Sequence, residues 1–85
     1  MPLCPSIFSE SRWRAAVARF HLSPREADIG ALLIDGRTVR EIADHLTIRP
    51  DTVRTYVKRL HDKTGARNSV ALIRTMMEAP EVVAG

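Results

Sequence analysis

The feature that most constrains how this chain folds is the regular spacing of its helix-start and helix-stop signals. A serine or threonine followed three residues later by glutamate, the pattern of a capping box, occurs at Ser23 and again at Thr38. Pro50 marks a further start, because proline at the first helical position lacks an N–H that would have no partner there. Gly36 and Gly65 supply left-handed stops. Because only short helices fit between these signals and no segment alternates as a strand does, the sequence predicts an all-α fold.

Apolar spacing between the signals predicts five helices in this chain of 85 residues, which is long enough for one domain. Ser9 and Asn68 are expected to cap the first and the last of them. The predicted helices are 10–20, a helix from 24 that stops at Gly36, 39–46, 50–64 and 69–78. We expect 1–20 to form an N-terminal arm and amphipathic helix, 21–78 to form the main helical domain, and 79–85 to fray.

Positive charge is concentrated on the fourth predicted helix and its ends. Residues 49–67 hold six basic and two acidic side chains, although the whole chain carries a net charge of only +3. A basic stripe on one helix of a small domain is typical of a nucleic-acid-binding surface. Charge alone is equally compatible with a solvated helix face, so the choice between these interpretations depends on the surrounding pattern.

The third and fourth predicted helices are joined by only three residues, 47–49, which predicts a helix-turn-helix whose second helix enters the major groove. Steps of three and four place Arg54, Thr55 and Lys58 on the face of that helix turned away from the core. Arg54 can donate two hydrogen bonds to guanine, which is worth about 1–3 kcal/mol of base discrimination. We therefore predict that these three residues contact bases. The expected phosphate contacts are Thr38, Thr52, Tyr56, Arg59 and Lys63.

In their order and spacing these residues resemble the DNA-binding domain of LuxR-type bacterial transcription factors, also called GerE- or FixJ-type. The matching positions are Leu22 to Glu26, Gly36, Thr38, Glu41 to Ala43, Leu46, Thr52 to Thr55, Val57, Lys63, Gly65 and Arg67, and the likeness extends to about Ile73. The resemblance implies a four-helix bundle, here with an extra N-terminal helix. It also implies that the second helix of the helix-turn-helix reads double-stranded DNA and that the last helix makes a dimer contact. Tyr56 and Arg49 depart from the family pattern, in which histidine and a serine cap are frequent at these two positions.

The last helix is apolar over a wide arc, and a single chain leaves part of that arc with no obvious place in the core. Val70 and Met77, seven residues apart, share the uncovered side. We predict a two-fold homodimer through this helix, with Val70, Ile73, Arg74 and Met77 in the interface. Each copy would then bind one half-site of an inverted repeat.

The first helix carries an apolar stripe formed by Trp13, Val17 and Phe20. Two interpretations stay open. Either the stripe packs on the bundle and enlarges a small core, which is the simpler of the two, or it forms a surface for a partner or a second copy.

The chain lacks the patterns of a metal site, an enzyme or a cofactor site. His21, His45, His61 and Cys4 do not have the spacing of metal ligands. There is no recognisable pair of nucleophile and base and no glycine-rich phosphate loop, so we predict a protein that is not an enzyme and needs no cofactor. A single cysteine fits a reducing compartment, and no apolar run has the length of a membrane span. We therefore expect a cytoplasmic, nucleoid-associated protein with no membrane partner.

In the family that this chain resembles, the DNA-binding domain is usually joined to a receiver or a ligand-binding domain. The chain has no room for either. We therefore expect a stand-alone transcriptional regulator, with a regulatory protein or RNA polymerase as a further partner. Two alternatives stay open: the promoter-reading region of a sigma factor, and a protein-interaction module that captures a partner through its first and last helices, as an anti-activator or co-regulator does. The basic and polar residues at the base-facing positions favour DNA binding.

Overall fold

A computed structural model describes residues 3–78 of the chain, and within that range it contains five α-helices and no strand. The helices are α1 (Glu10–Arg19), α2 (Pro24–Ile34), α3 (Val39–Leu46), α4 (Pro50–Thr64) and α5 (Ser69–Glu78). The predicted all-α bundle with an extra N-terminal helix is confirmed. The tail predicted at 79–85 lies outside the described residues.

Helix boundaries follow the capping residues. The Ser23 hydroxyl accepts a hydrogen bond from the Glu26 N–H at 3.2 Å, and the Ser23 N–H donates to Glu26 Oε1 at 2.8 Å. Thr38 and Glu41 form the same two reciprocal hydrogen bonds at the start of α3. Helix α1 ends one residue earlier than predicted, because Phe20 is its C-cap and the following His21 adopts a left-handed φ of 54°. Local hydrogen bonding therefore sets where these helices begin and end.

The core consists of two apolar clusters that share helices α2 and α4. One cluster lies inside the helix-turn-helix and contains Ile29, Leu32, Ile42, Ala43 and Val53. The other joins α4 to α1, α2 and α5 and contains, among others, Trp13, Ala16, Ala31, Leu60, Leu72 and Met76. Since Val53 and Leu60 are both fully buried, α4 is fixed against both clusters. That double anchorage gives its outer face a defined direction.

Helix α1 packs on the bundle through its apolar stripe. Trp13 is only 4% exposed and meets the Phe8 ring edge to face, with 5.3 Å between centroids. Val17 and Phe20 are partly buried against the same cluster, and the Arg12 guanidinium donates to the Met77 carbonyl of α5 at 3.0 Å. Trp13 therefore belongs to the core of the bundle, whereas a partner surface at the partly exposed Val17 and Phe20 stays a prediction.

Candidate DNA interface

The turn between α3 and α4 combines a left-handed residue with backbone hydrogen bonds to both helices. Thr47, the C-cap of α3, adopts a left-handed conformation with φ 56°. A β-branched residue is uncommon there, so the surrounding bonds must stabilise the turn. The Ile48 N–H donates to the Ala43 carbonyl at 3.0 Å, and the Val53 N–H donates to the Arg49 carbonyl at 3.1 Å. Arg49 makes no side-chain cap bond, as its departure from the family pattern suggests, and Pro50 opens α4.

The outer face of α4 presents the three residues predicted to contact bases. Arg54, Thr55 and Lys58 are all exposed, whereas Val53 and Leu60 on the opposite side are fully buried. An α-helix is narrow enough to enter the major groove of B-DNA with such a face towards the base edges. The structure therefore brings the predicted base-contacting residues together on one accessible surface.

Asp51 organises the start of this face, a role that the sequence reasoning did not assign to it. Its Oδ1 atom accepts a hydrogen bond from Arg54 Nη1 at 3.0 Å, forming an exposed ion pair. Its backbone carbonyl accepts a hydrogen bond from the Thr55 hydroxyl at 3.1 Å. The spacing of three residues between acid and arginine permits such a pair on a helix and is the sequence signal that points to it.

Four of the five expected phosphate-contacting residues lie at or near the surface of the helix-turn-helix. Thr38, Thr52 and Arg59 are exposed, and Tyr56 is half-buried against the helix-turn-helix cluster. The Arg59 guanidinium lies over the Tyr56 ring, 5.4 Å from its centroid. The Thr38 hydroxyl already accepts the Glu41 N–H, so it serves the α3 cap in this structure.

Lys63, the fifth expected phosphate contact, has internal partners. Its Nζ lies 2.7 Å from Glu26 Oε1 and 2.9 Å from the His21 carbonyl oxygen. Glu26 is a buried residue, and this pair joins the first turn of α2 to the last turn of α4. The sequence pattern indicates only the capping box of Glu26, because a contact across 37 positions leaves no local pattern.

The surroundings of Glu26 favour its charged form. Burial by itself raises the pKa of this carboxyl group, but the hydrogen bond and charge of Lys63 and the hydrogen bonds from Ser23 outweigh it. The net effect is a pKa below the usual value. Glu26 is therefore an ionised group inside the fold, held by two different helices.

The uncovered side of α5 carries two large apolar side chains, at the positions that the sequence pattern predicts. Val70 is 68% exposed and Met77 is 40% exposed, and both are among the large apolar residues that the structure leaves in contact with solvent. Arg74 is exposed beside them, whereas Ile73 is half-buried against the core.

Within residues 3–78, no group of histidine, cysteine, aspartate or glutamate side chains is arranged to hold a metal ion. The Cys4 thiol donates to the Pro5 and Phe8 carbonyl oxygens. Burial, followed by the nearby charges of Glu10 and Asp35, raises the pKa of that thiol. None of the helices in the described part of the chain has both the length and the apolar character needed to cross a membrane.

Comparison with known proteins places the helix-turn-helix in a defined family. Residues 21–76 match the family model described as bacterial regulatory proteins, luxR family. The chain is 40% identical over 57 residues to the transcriptional regulatory protein MctR of Rhizobium johnstonii, covering 67% of this chain and 27% of that protein. It is 33% identical over 75 residues to the probable transcriptional regulatory protein NarL of Mycobacterium tuberculosis, covering 88% of this chain and 35% of that protein.

A third relative is the transcriptional regulatory protein DesR of Bacillus subtilis, 33% identical over 57 residues, or 67% of this chain and 29% of that protein. The chain thus spans about a quarter to a third of the length of these relatives. No solved structure is significantly similar to it. With more than half of its residues matched by the family model, the chain belongs to the luxR family of bacterial regulatory proteins.

Proposed function

We propose that this protein is a sequence-specific transcriptional regulator that inserts α4 into the major groove of double-stranded DNA. The observation that carries the proposal is the exposed face formed by Arg54, Thr55 and Lys58 on a helix anchored in both core clusters. A rigid helix with a polar, basic outer face can hold its side chains in one register against base edges. Family membership supports the same conclusion.

Two kinds of contact have different tasks in this proposal. Arg54, Thr55 and Lys58 choose bases, because base edges in the major groove carry sequence information. Thr38, Thr52, Tyr56 and Arg59 position the domain on phosphates, which carry none. Lys63 belongs to the same expected set, but its ion pair with Glu26 makes it the residue least available for phosphate. Neutralising phosphates releases counterions, so we expect affinity to fall steeply with salt.

We further infer that the protein binds DNA as a two-fold dimer through α5. Exposed Val70 and Met77 support this inference, because an apolar side that one chain leaves uncovered is covered when two copies meet. Arg74 and the partly exposed Ile73 complete the expected interface. A two-fold dimer would read an inverted repeat, one half-site for each α4.

We expect such a regulator to act on the nucleoid in the cytoplasm, with a regulatory protein or RNA polymerase as a further partner, and not as an enzyme. The experiment that tests the proposal is selection of bound duplexes from a randomised DNA pool at about 150 mM salt, where non-specific binding is weakened. We expect enrichment of an inverted repeat.

Retention of the pool without enrichment would contradict sequence-specific binding by the protein alone. Absence of any retention would contradict DNA binding and favour the protein-interaction alternative. Enrichment of a single, non-repeated site would retain the major-groove proposal and contradict the dimer.

A further inference from the structure

We propose that Asp51 is a specificity-determining residue, which holds Arg54 ready for a base contact and reduces its attraction to phosphates. The inference rests on the proposed function, because it needs α4 to enter the major groove. Asp51 lies on the base-facing side of that helix and was not among the residues expected to contact DNA. Its carboxylate adds an acidic group to a surface that also presents Arg54, Thr55 and Lys58.

The geometry leaves Arg54 able to bind a base while Asp51 holds it. The ion pair uses the Nη1 atom of the guanidinium, 3.0 Å from Oδ1 of Asp51. A guanidinium has five N–H donors in a planar fork, so donors remain for a guanine after one is used. The two side chains are 64% and 94% exposed, which places the pair where a base edge can reach it. A side chain held before binding loses less conformational freedom on binding.

The charge of the pair also affects how α4 would bind DNA. An exposed ion pair contributes little to stability in water, but it is strengthened when docking on DNA removes the surrounding water. The pair of Arg54 and Asp51 has almost no net charge to attract a phosphate, whereas donors of the guanidinium remain for guanine. The Asp51 carboxylate itself is repelled by the DNA backbone. Both effects weaken binding to arbitrary sequences more than binding to the correct site, which is how repulsive elements create specificity.

The side chain of Thr55 is also bound to Asp51, through the backbone carbonyl of Asp51. Because the Thr55 hydroxyl donates to the Asp51 carbonyl, the donor is already used inside the helix. The methyl group and the lone pairs of the hydroxyl oxygen remain for DNA. Asp51 therefore lies at the centre of an ordered group of three residues, and its carboxylate acts on one of them, Arg54.

The test compares Asp51→Asn with Asp44→Asn in the full chain. Both substitutions remove one exposed carboxylate from the helix-turn-helix, one from α4 and one from α3, but only the first removes the charged partner of Arg54. Dissociation constants are measured on the selected duplex, on the same duplex with each base pair changed singly, and on a scrambled duplex. Thermal melts check that both variants fold.

We expect Asp51→Asn to bind the scrambled duplex about threefold more tightly and to lose about tenfold of its discrimination at one base pair, the scale of a single good base contact. That base pair should be the one at which Arg54→Ala also loses discrimination, and Asp51→Asn should have no further effect at that base pair in the Arg54→Ala background. Asp44→Asn should change affinity for all duplexes by the same factor.

Equal behaviour of the two asparagine variants would overturn the role of Asp51 and leave the proposed function standing. A parent protein that selects no sequence from the pool would overturn both. A loss at a base pair that Arg54→Ala does not affect would also overturn the inference, because Asp51 would then act independently of Arg54.

Discussion

The Glu26 carboxylate and the Lys63 ammonium lie 2.7 Å apart, joining the first turn of α2 to the last turn of α4, the second helix of the helix-turn-helix. The Glu26 side chain is 4% exposed and the Lys63 side chain is 39% exposed, so the pair lies at the edge of the core. Glu26 also accepts the Ser23 N–H in a capping box. The Glu26 carboxylate therefore caps the start of α2 and also binds the last turn of α4.

Because of this double role, we predict that Glu26→Ala lowers the free energy of unfolding by about 2 kcal/mol. Charged hydrogen bonds contribute about 1.5–3 kcal/mol each, and the partly exposed Lys63 can regain water after the substitution. Urea denaturation followed by circular dichroism measures the change.

Glu41→Ala is the matched control for this prediction. Glu41 forms the same capping box with Thr38, but its charged partner, Arg37, is 3.8 Å away, and the Arg37 and Glu41 side chains are both about half exposed. We expect a clearly smaller loss of stability than for Glu26→Ala. Equal losses would mean that the cap alone accounts for the effect and that the ion pair with Lys63 contributes nothing.

The same pair predicts how stability depends on pH. The pKa of Glu26 in the folded protein is below the ordinary value of 4.5, so the unfolded chain takes up protons first as the pH falls. The stabilisation is therefore complete above about pH 4.5 and is lost as the pH falls through the lower, folded-state pKa. Hydrogen bonds from Thr38 also lower the pKa of Glu41, which adds in the same direction.

Unfolding curves between pH 7 and pH 3 for the parent and for Glu26→Gln test this dependence. Glutamine keeps the shape of the side chain and does not titrate, so we expect the stability of the variant to fall less steeply below pH 4.5. Parallel curves for the two proteins would contradict the assignment of this pH dependence to Glu26.

Contacts between residues close together in the sequence could be predicted, whereas contacts between residues far apart in the sequence could not. The capping boxes at Ser23 and Thr38 were predictable because each joins residues three positions apart. The pair of Glu26 and Lys63 was not, because its members become neighbours only after α2 and α4 pack together. The position of Trp13 could not be predicted for a second reason. An amphipathic stripe indicates that one side of a helix is covered, but it does not show whether the core or a partner covers it.

The outer face of α4 could be predicted by the same logic, because the buried positions Val53 and Leu60 define the opposite side. The sequence pattern could not predict which of the exposed side chains on this face bond to one another. The bonds that Asp51 makes to Arg54 and Thr55 depend on side-chain rotamers, which spacing permits but does not fix.

A third prediction separates base contacts from phosphate contacts. Arg54→Ala should lower affinity for the selected duplex by about 10- to 100-fold and affinity for scrambled DNA only slightly, because a bidentate base contact is sequence-specific. Arg59→Ala should weaken both by a similar factor and reduce the salt dependence by about one phosphate contact. The two substitutions remove the same side chain from neighbouring turns of α4, so each serves as the control for the other.

Fluorescence anisotropy titrations at several salt concentrations measure these effects. Similar losses for both variants on both duplexes would contradict the division of roles between Arg54 and Arg59. A large loss for Arg59→Ala on the selected duplex alone would show that the base contact had been assigned to the wrong residue.

The last prediction concerns the exposed apolar side of α5. Val70→Asp should abolish the dimer, because a carboxylate at a 68% exposed position is harmless in the monomer but costs desolvation in an apolar interface. Sedimentation should show two copies of the 9.5 kDa parent chain, either free in solution or bound to one operator duplex, and a monomeric variant with reduced affinity for the inverted repeat. Ala18→Asp is the control, since it places the same charge at an exposed position of α1 outside the proposed interface. A parent that stays monomeric even on the duplex would exclude the α5 dimer, and a Val70→Asp variant that sediments like Ala18→Asp would place any dimer contact elsewhere.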